Sequence, residues 1–236
     1  MSVNVNTVYT RVLAIMNKEQ RGYITPTEFN IFANQAQMDI FEQYFYDLNQ
    51  FMRLPGNDTG HADMISLLQE KISIFNKSKS GSSDLSISSN KITIDSSDLY
   101  RTTAVFLSDK QCDRVSKKEA KEMLNSPLHV PTADRPIYYE EQGGYFIYNS
   151  SSLLSTDANV AIDYIKKPDE PNWSFSTVSG AAIHNSSTST NFELHESEEV
   201  ELVLKILELA GFATKQVDVA QFATQKDNQG IQQEKM

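Results

Sequence analysis

TPTEFNIFANQAQMDIFEQYFYDLNQFM, residues 25–52, decides the fold class, and the rest of the chain is read outward from it. Its start is written out: Thr25 as N-cap, Pro26 at the first helical position and Glu28 three residues after the cap. That is a capping box, with Ile24 and Phe29 placed for a hydrophobic staple. Apolar residues recur at helical spacing through Phe29, Phe32, Ala33, Ala36, Ile40, Tyr44, Leu48 and Phe51, and Phe41, Phe45 and Met52 widen the stripe. At about 1.5 Å per residue the pattern predicts one helix on the order of 40 Å long. Pro55-Gly56 stops it.

Neighbouring segments repeat this signal more briefly. Val8, Val12, Ile15 and Met16 predict a helix over 6–17 capped by Asn6, and Gln20-Arg21-Gly22-Tyr23 makes a short turn. Met64, Ile65, Leu68, Ile72 and Phe75 predict a third helix over 60–74. Helices joined by such short connections pack antiparallel.

Residues 78–89 hold seven serines and Gly81, and predict a flexible loop. The middle of the chain then reads as antiparallel strands. Ile92 and Ile94 alternate with polar neighbours, Ala104 to Leu107 form an apolar run, and Gln111 to Val115 suit a short strand. Ser116 caps a small helix over 117–124, with Glu119 in the capping-box position. Arg135–Glu140 and Tyr145–Asn149 predict a hairpin, whose turn Gln142-Gly143-Gly144 supplies positive φ angles. Val160, Ile162 and Tyr164 alternate along one more strand. Residues 174–191 read as a polar excursion.

Ser197 starts a last helix over 197–210, with Gly211 placed to end it. Val200, Val203, Leu204 and Leu207 face one way and Leu202, Ile206 and Leu209 another. A helix apolar on more than one side is buried between domains or subunits. From Lys215 onward the chain is Gln-rich and reads as a tail or a helix that orders against a neighbour.

The fold class is therefore α+β: an N-terminal antiparallel helical bundle over 1–77, joined by the C-terminal helix and tail of 192–236. Between them, 78–191 form an inserted small antiparallel β-barrel or sandwich with one short helix. With no reactive centre in view, the functional surface is expected on helix faces. Phe41, Phe45 and Met52, with Leu202, Ile206 and Leu209, are the candidate subunit-interface residues.

Composition narrows the functions. Net charge is −10, from 21 basic and 31 acidic residues, which disfavours general nucleic-acid binding and anionic membrane surfaces. Cys112 is the only cysteine, so an intrachain disulfide and a Cys-based zinc site are excluded. Neither a membrane-spanning run nor a signal-type leader is read, so a cytoplasmic origin is expected. No phosphate loop, GxGxxG or GxSxG motif occurs.

Isolated candidates have packing explanations beside the functional ones. His195-Glu196 begins like a zinc motif but lacks the second histidine; His61, His129 and His184 stand far apart. Cys112, in a strand, reads as a packed thiol more readily than a nucleophile. Asp157, Asp163, Asp169 and Glu170 lack the spacing of a Ca²⁺ loop. Tyr138, Tyr139, Tyr145, Phe146, Tyr148 and Trp173 suit either a sugar platform or cross-strand packing. No catalytic, cofactor-binding or metal-binding residue is assigned, and no cofactor is expected.

Five segments carry a resemblance: NKEQRGYITPTEFN with the helix after it (17–52), DLYR (98–101), SPLHVPTADRPIYY (126–139), YIKKPDEPNW (164–173) and FELHESEEVELVLKILELAG (192–211). In this order they resemble virion structural proteins of tailed phages, nearest to crAss-like podoviruses. The layout is similar to head–tail connector adaptor and ring proteins. The resemblance implies a non-enzymatic ring subunit, a dodecamer below the portal. Its implied partners are itself, the portal protein and adjacent tail or ring proteins, with DNA passing through the channel without sequence-specific binding. It implies a virion location, with assembly in the host cytoplasm and no membrane contact. Two alternatives stand beside it: a tail or virion-surface β-sandwich that recognises glycan or another virion protein, and a metal-dependent hydrolase built on His195.

Overall fold

The structure, a computed structural model, describes residues 2–17, 24–53, 59–81, 84–88, 90–94, 99–155, 159–179, 181–213 and 224–225. The expected turn at 20–23, the Pro55-Gly56 stop, Asp157 and most of the tail beyond 215 lie outside them.

Elements follow in chain order. Strand β1 (Ser2–Val3) precedes α1 (Val5–Asn17), the long α2 (Pro26–Arg53) and α3 (Thr59–Ser73). Strands β2 (Asn76–Ser80), β3 (Leu85–Ser88), β4 (Lys91–Ile94), β5 (Leu99–Leu107), β6 (Lys110–Gln111) and β7 (Asp113–Arg114) lead to α4 (Lys117–Asn125). Then come β8 (Ile137–Glu141), β9 (Gly144–Tyr148), β10 (Val160–Lys166), β11 (Phe175–Val178), β12 (Ala181–His184) and β13 (Phe192–His195). A 3₁₀ turn, Glu196–Glu198, enters α5 (Glu199–Ala213).

The chain divides into two units. One takes residues before and after an insert, Met1–Ile74 and Pro168–Met236; the other is the insert, Phe75–Lys167. The β unit is therefore shorter than the expected 78–191. Residues 168–191 belong with the helices.

In the helical unit, α2 packs on α3 and α5, and α1 on α5. The expected cap of α2 is present: Thr25 N–H and Oγ1 donate to Glu28 Oε2 at 2.9 and 2.7 Å, and Glu28 N–H returns to Thr25 Oγ1 at 3.3 Å. Ile24 and Phe29 are both buried. The first helix begins one residue earlier than expected, because Asn4 rather than Asn6 caps it, accepting from Asn6 and Thr7 N–H at 2.8 and 3.2 Å. Gly211 does not end α5; it is buried and the helix continues to Ala213. Strand β1 pairs with β13.

In the β unit, one sheet has the order β2-β10-β5-β6 and another β3-β4-β9-β8-β7. All neighbours are antiparallel except β7 and β8. Neither sheet closes, so of the expected barrel or sandwich the barrel is not formed; two open sheets share one core. Leu85, Ile92, Tyr138, Tyr145 and Ile147 from one sheet meet Val105, Leu107, Val160 and Ile162 from the other. The reverse face of β8 and β9 is covered by α4, where Ala120 packs on Ile137 and Tyr139. The capping box of α4, Ser116 with Glu119, is as expected. So is the β8–β9 hairpin, whose turn places Gln142 at φ 50° and Gly143 at φ 68°.

Two stretches expected as loops contain strands. Residues 76–80 and 85–88 are β2 and β3, and 175–184 form the β11–β12 hairpin. Their pairing comes from backbone hydrogen bonds, which serine and threonine make as well as any residue.

Candidate functional site

The most elaborate side-chain arrangement is a polar bracket in the helical unit, built where α2 meets the segments around Trp173 and Phe192. It starts with Gln37, an amide with no exposed surface. Its Nε2 donates to the Asp169 carbonyl at 2.8 Å, and its Oε1 accepts from Glu193 N–H at 3.0 Å. Asp169 N–H in turn donates to Glu193 Oε2 at 2.8 Å. One side chain thus satisfies backbone groups on two separate strands of chain, which burial would otherwise leave unpaired.

Two turns earlier on α2, Asn30 repeats the device. Its Oδ1 accepts from Trp173 N–H at 2.8 Å, and its Nδ2 donates to Asn172 Oδ1 at 2.9 Å. The Trp173 indole donates from Nε1 to Asn6 Oδ1 at 3.0 Å and stacks on Tyr9 at 4.0 Å. Tyr9 meets Phe29 edge-on at 4.9 Å. Helices α1 and α2 and the 168–173 segment are therefore locked by one indole.

A buried ion pair lies elsewhere in this unit. Lys71 Nζ stands 2.7 Å from Glu198 Oε1, with both side chains largely buried. Burial alone would raise the Glu198 carboxyl, but the hydrogen bond and charge of Lys71, with a hydrogen bond from Ser197 Oγ, hold it below the usual carboxylate range. The Lys71 ammonium also sits 5.5 Å from the centre of the Tyr44 ring.

The candidate interface residues divide. Phe41, Leu202 and Ile206 are fully buried inside the chain, so they are its own core and cannot meet a neighbour without unfolding. Phe45 and Leu209 are half-buried, Phe45 lying edge-on to Phe41 at 5.0 Å. Met52 is 67% exposed, and Val200, expected on a packed face, is exposed as well. The buried face of α5 runs instead through Leu202, Val203, Ile206, Leu207 and Ala210.

The reactive candidates are engaged in packing or local structure. Cys112 is buried in the β core, and burial, with the Asp113 charge beside it, pushes its thiol up to about 12. His195 Nδ1 accepts from Ser197 N–H at 3.2 Å, the role of a cap. His184 Nε2 meets Ser189 Oγ at 3.0 Å, and its ring stacks on Trp173. Among the described residues, no three His, Cys, Asp or Glu side chains are grouped to hold a metal ion.

The aromatic residues considered as a sugar platform do not share a surface. Tyr138 and Tyr145 point into the core between the sheets, while Tyr139, Phe146 and Tyr148 lie on the α4 side. Trp173 belongs to the other unit. A cleft of about 390 Å³ in the β unit is lined by Tyr100, Arg101, Thr102, Arg114, Glu140 and Tyr145, among others. Two ion pairs stand there: Arg114 with Glu140 at 2.9 Å, and Lys117 with Glu141 at 2.6 Å.

Sequence reasoning missed Gln37 and Asn30. A signal existed: an amide at each of two positions on the face that otherwise carries Phe29, Ala33, Ala36 and Ile40. No helix among the described residues is long and apolar enough to cross a membrane. Set against known protein families, the sequence matches none, and no curated protein matches it.

Proposed function

We propose that this chain is a non-enzymatic structural subunit of a phage head–tail connector, forming a ring below the portal that joins capsid to tail around the DNA channel. The observation that carries this reading is where the connector-like segments meet. Residues from 25–52, 164–173 and 192–211 come together as Asn30 with Trp173 and Gln37 with Asp169 and Glu193, a bracket that ties α2 to the two later segments. The distinctive text of the chain is spent on rigidity. A ring subunit needs such a rigid body, because a small angular error at each heterologous contact prevents closure. The antiparallel bundle expected for α1, α2, α3 and α5, a dodecameric copy number, a virion location and contacts with portal and neighbouring tail proteins are parts of the same proposal. A net charge of −10 suits a channel through which DNA slides without sticking.

The test is the mass of the purified chain, alone and mixed with portal, and its presence in purified virions. Ring-sized species that bind portal are expected. A strictly monomeric protein that ignores portal and is missing from virions overturns the reading.

A further inference from the structure

The β11–β12 hairpin has features that a solitary ribbon should not have. Among the described residues its strands pair only with each other, and a two-stranded ribbon is marginal by itself in water. All four residues of β11 are exposed. Val178, 53% exposed, and Ile183, 50% exposed, fall on one face by the strand register.

The register also says which backbone groups point outward. Asn185 N–H donates to the Ser174 carbonyl at 2.8 Å, which makes 174 and 185 a hydrogen-bonded pair. Pairs 176–183 and 178–181 then face each other in the same way, while Phe175 and Thr177 on β11, and Ala182 and His184 on β12, turn their N–H and C=O groups to the outer edges. Exposed edges are normally guarded by lysine, proline, a bulge or an inward charge. Here none is present: from Pro171 to Phe192 there is no Asp, Glu, Lys or Arg.

The base of the hairpin is fixed. The Trp173 ring lies against Phe175 and His184 at 5.8 and 5.5 Å, and Ser189 Oγ accepts from Ser174 N–H at 3.0 Å. The edges are thus held ready, which lowers the ordering cost of any pairing.

We propose that this hairpin docks onto a second copy of the chain, the β11 edge of one copy pairing with the β12 edge of the next. The hairpin's own edges select the occupant: every copy carries both an open β11 edge and an open β12 edge, and with no charged side chain from 171 to 192 the junction adds no local like-charge contact between copies that each carry −10. The two edges are antiparallel within a hairpin, so successive copies form an antiparallel junction at every step, and the contact is heterologous, as a ring requires. This deepens the connector reading and rests on it.

The experiment is native mass measured over a concentration series for the full chain and three variants, each also mixed with portal. Thr177→Pro removes an outward N–H and leaves the hairpin's own bonds intact. Val178→Lys keeps every backbone group and adds a guarding charge. Thr177→Val is the control. Thr177→Pro and Val178→Lys should each raise the concentration needed for half-assembly by at least about tenfold, with melting unchanged, while Thr177→Val behaves as wild type. If both assemble like wild type, edge pairing is overturned and the connector reading stands. If wild type is monomeric alone yet assembles on portal equally well with Val178→Lys, edge pairing is again overturned. If wild type assembles in neither setting, the connector reading itself has failed.

Discussion

Replacing Gln37 with methionine keeps the length of the side chain and deletes both of its hydrogen bonds. The Asp169 carbonyl and the Glu193 N–H, held at 2.8 and 3.0 Å in the native chain, are left facing an apolar group. Gln37 has no exposed surface, so water cannot take its place without local opening. Each stranded backbone group costs about 1–3 kcal/mol, and the gain from burying a thioether offsets part of this, so we expect a loss of about 2–4 kcal/mol. With a urea slope of about 2 kcal/mol/M the midpoint should fall by about 1–2 M. The probe is already in the molecule: Trp173 is the only tryptophan, and it belongs to the unit that Gln37 braces. Its fluorescence reports unfolding of that unit without interference from the β unit. Gln37→Glu sharpens the measurement. It retains an acceptor for Glu193 N–H but sets a carboxylate oxygen against the Asp169 carbonyl, so it should cost more than methionine at pH 7 and recover partly on mild acidification. A Gln37→Met midpoint within about 0.25 M of wild type, at unchanged slope, would show that the bracket contributes nothing and refute the argument.

Other predictions follow from single features. Lys71→Met strands the buried Glu198 carboxylate and should destabilise the helical unit by about 3–5 kcal/mol. Because the folded Glu198 carboxyl is held below its ordinary value of 4.5, its contribution is complete above that pH and fades as pH falls through the lower folded value. An acid titration of stability should therefore be flatter below 4.5 in Lys71→Met than in wild type. Cys112 should resist an aromatic disulfide reagent in the native chain at pH 8 and react at the rate of unfolding, since its thiol titrates near 12; rapid native labelling would contradict its burial. Gly143→Ala should destabilise the β unit by about 1–2 kcal/mol, because φ is 68° there and the space is open, so the cost is backbone strain alone. Gln142→Gly, relieving a non-glycine residue at φ 50°, should stabilise the same unit, read by its thermal midpoint.

Elements whose signal is local could be read from the sequence. The cap at Thr25, the box at Ser116 with Glu119 and the turn at Gln142-Gly143 are each settled by residues a few positions apart. Elements set by distant partners could not. Strand β2, NKSKS, has no apolar alternation, and it is a strand because β10 offers an edge to it. The same holds for β11, whose four residues are all exposed. The Ser179-Gly180 step, with Ser179 at φ 51°, was the available sign of that hairpin, set within a longer Ser- and Thr-rich stretch. Helical periodicity marked Phe41, Leu202 and Ile206 as apolar but could not say which side of a helix stays within the chain. That division depends on where α2 and α5 meet, which is tertiary information.

The split of the helical unit has a consequence for synthesis. Residues 75–167 are contiguous, so the β unit can finish folding once its own stretch has left the ribosome. Helix α2 emerges before it, yet the partners of Asn30 and Gln37, at 169–173 and 193, arrive 132 to 156 residues later. At about 5–20 residues per second that delay is about 7–30 s, during which α2 lacks the cover it later has from α5. The nascent chain thus presents an aromatic-rich helix for far longer than helix formation itself requires. Holding chaperones should bind it in that interval, and release should coincide with the arrival of residues 192–211.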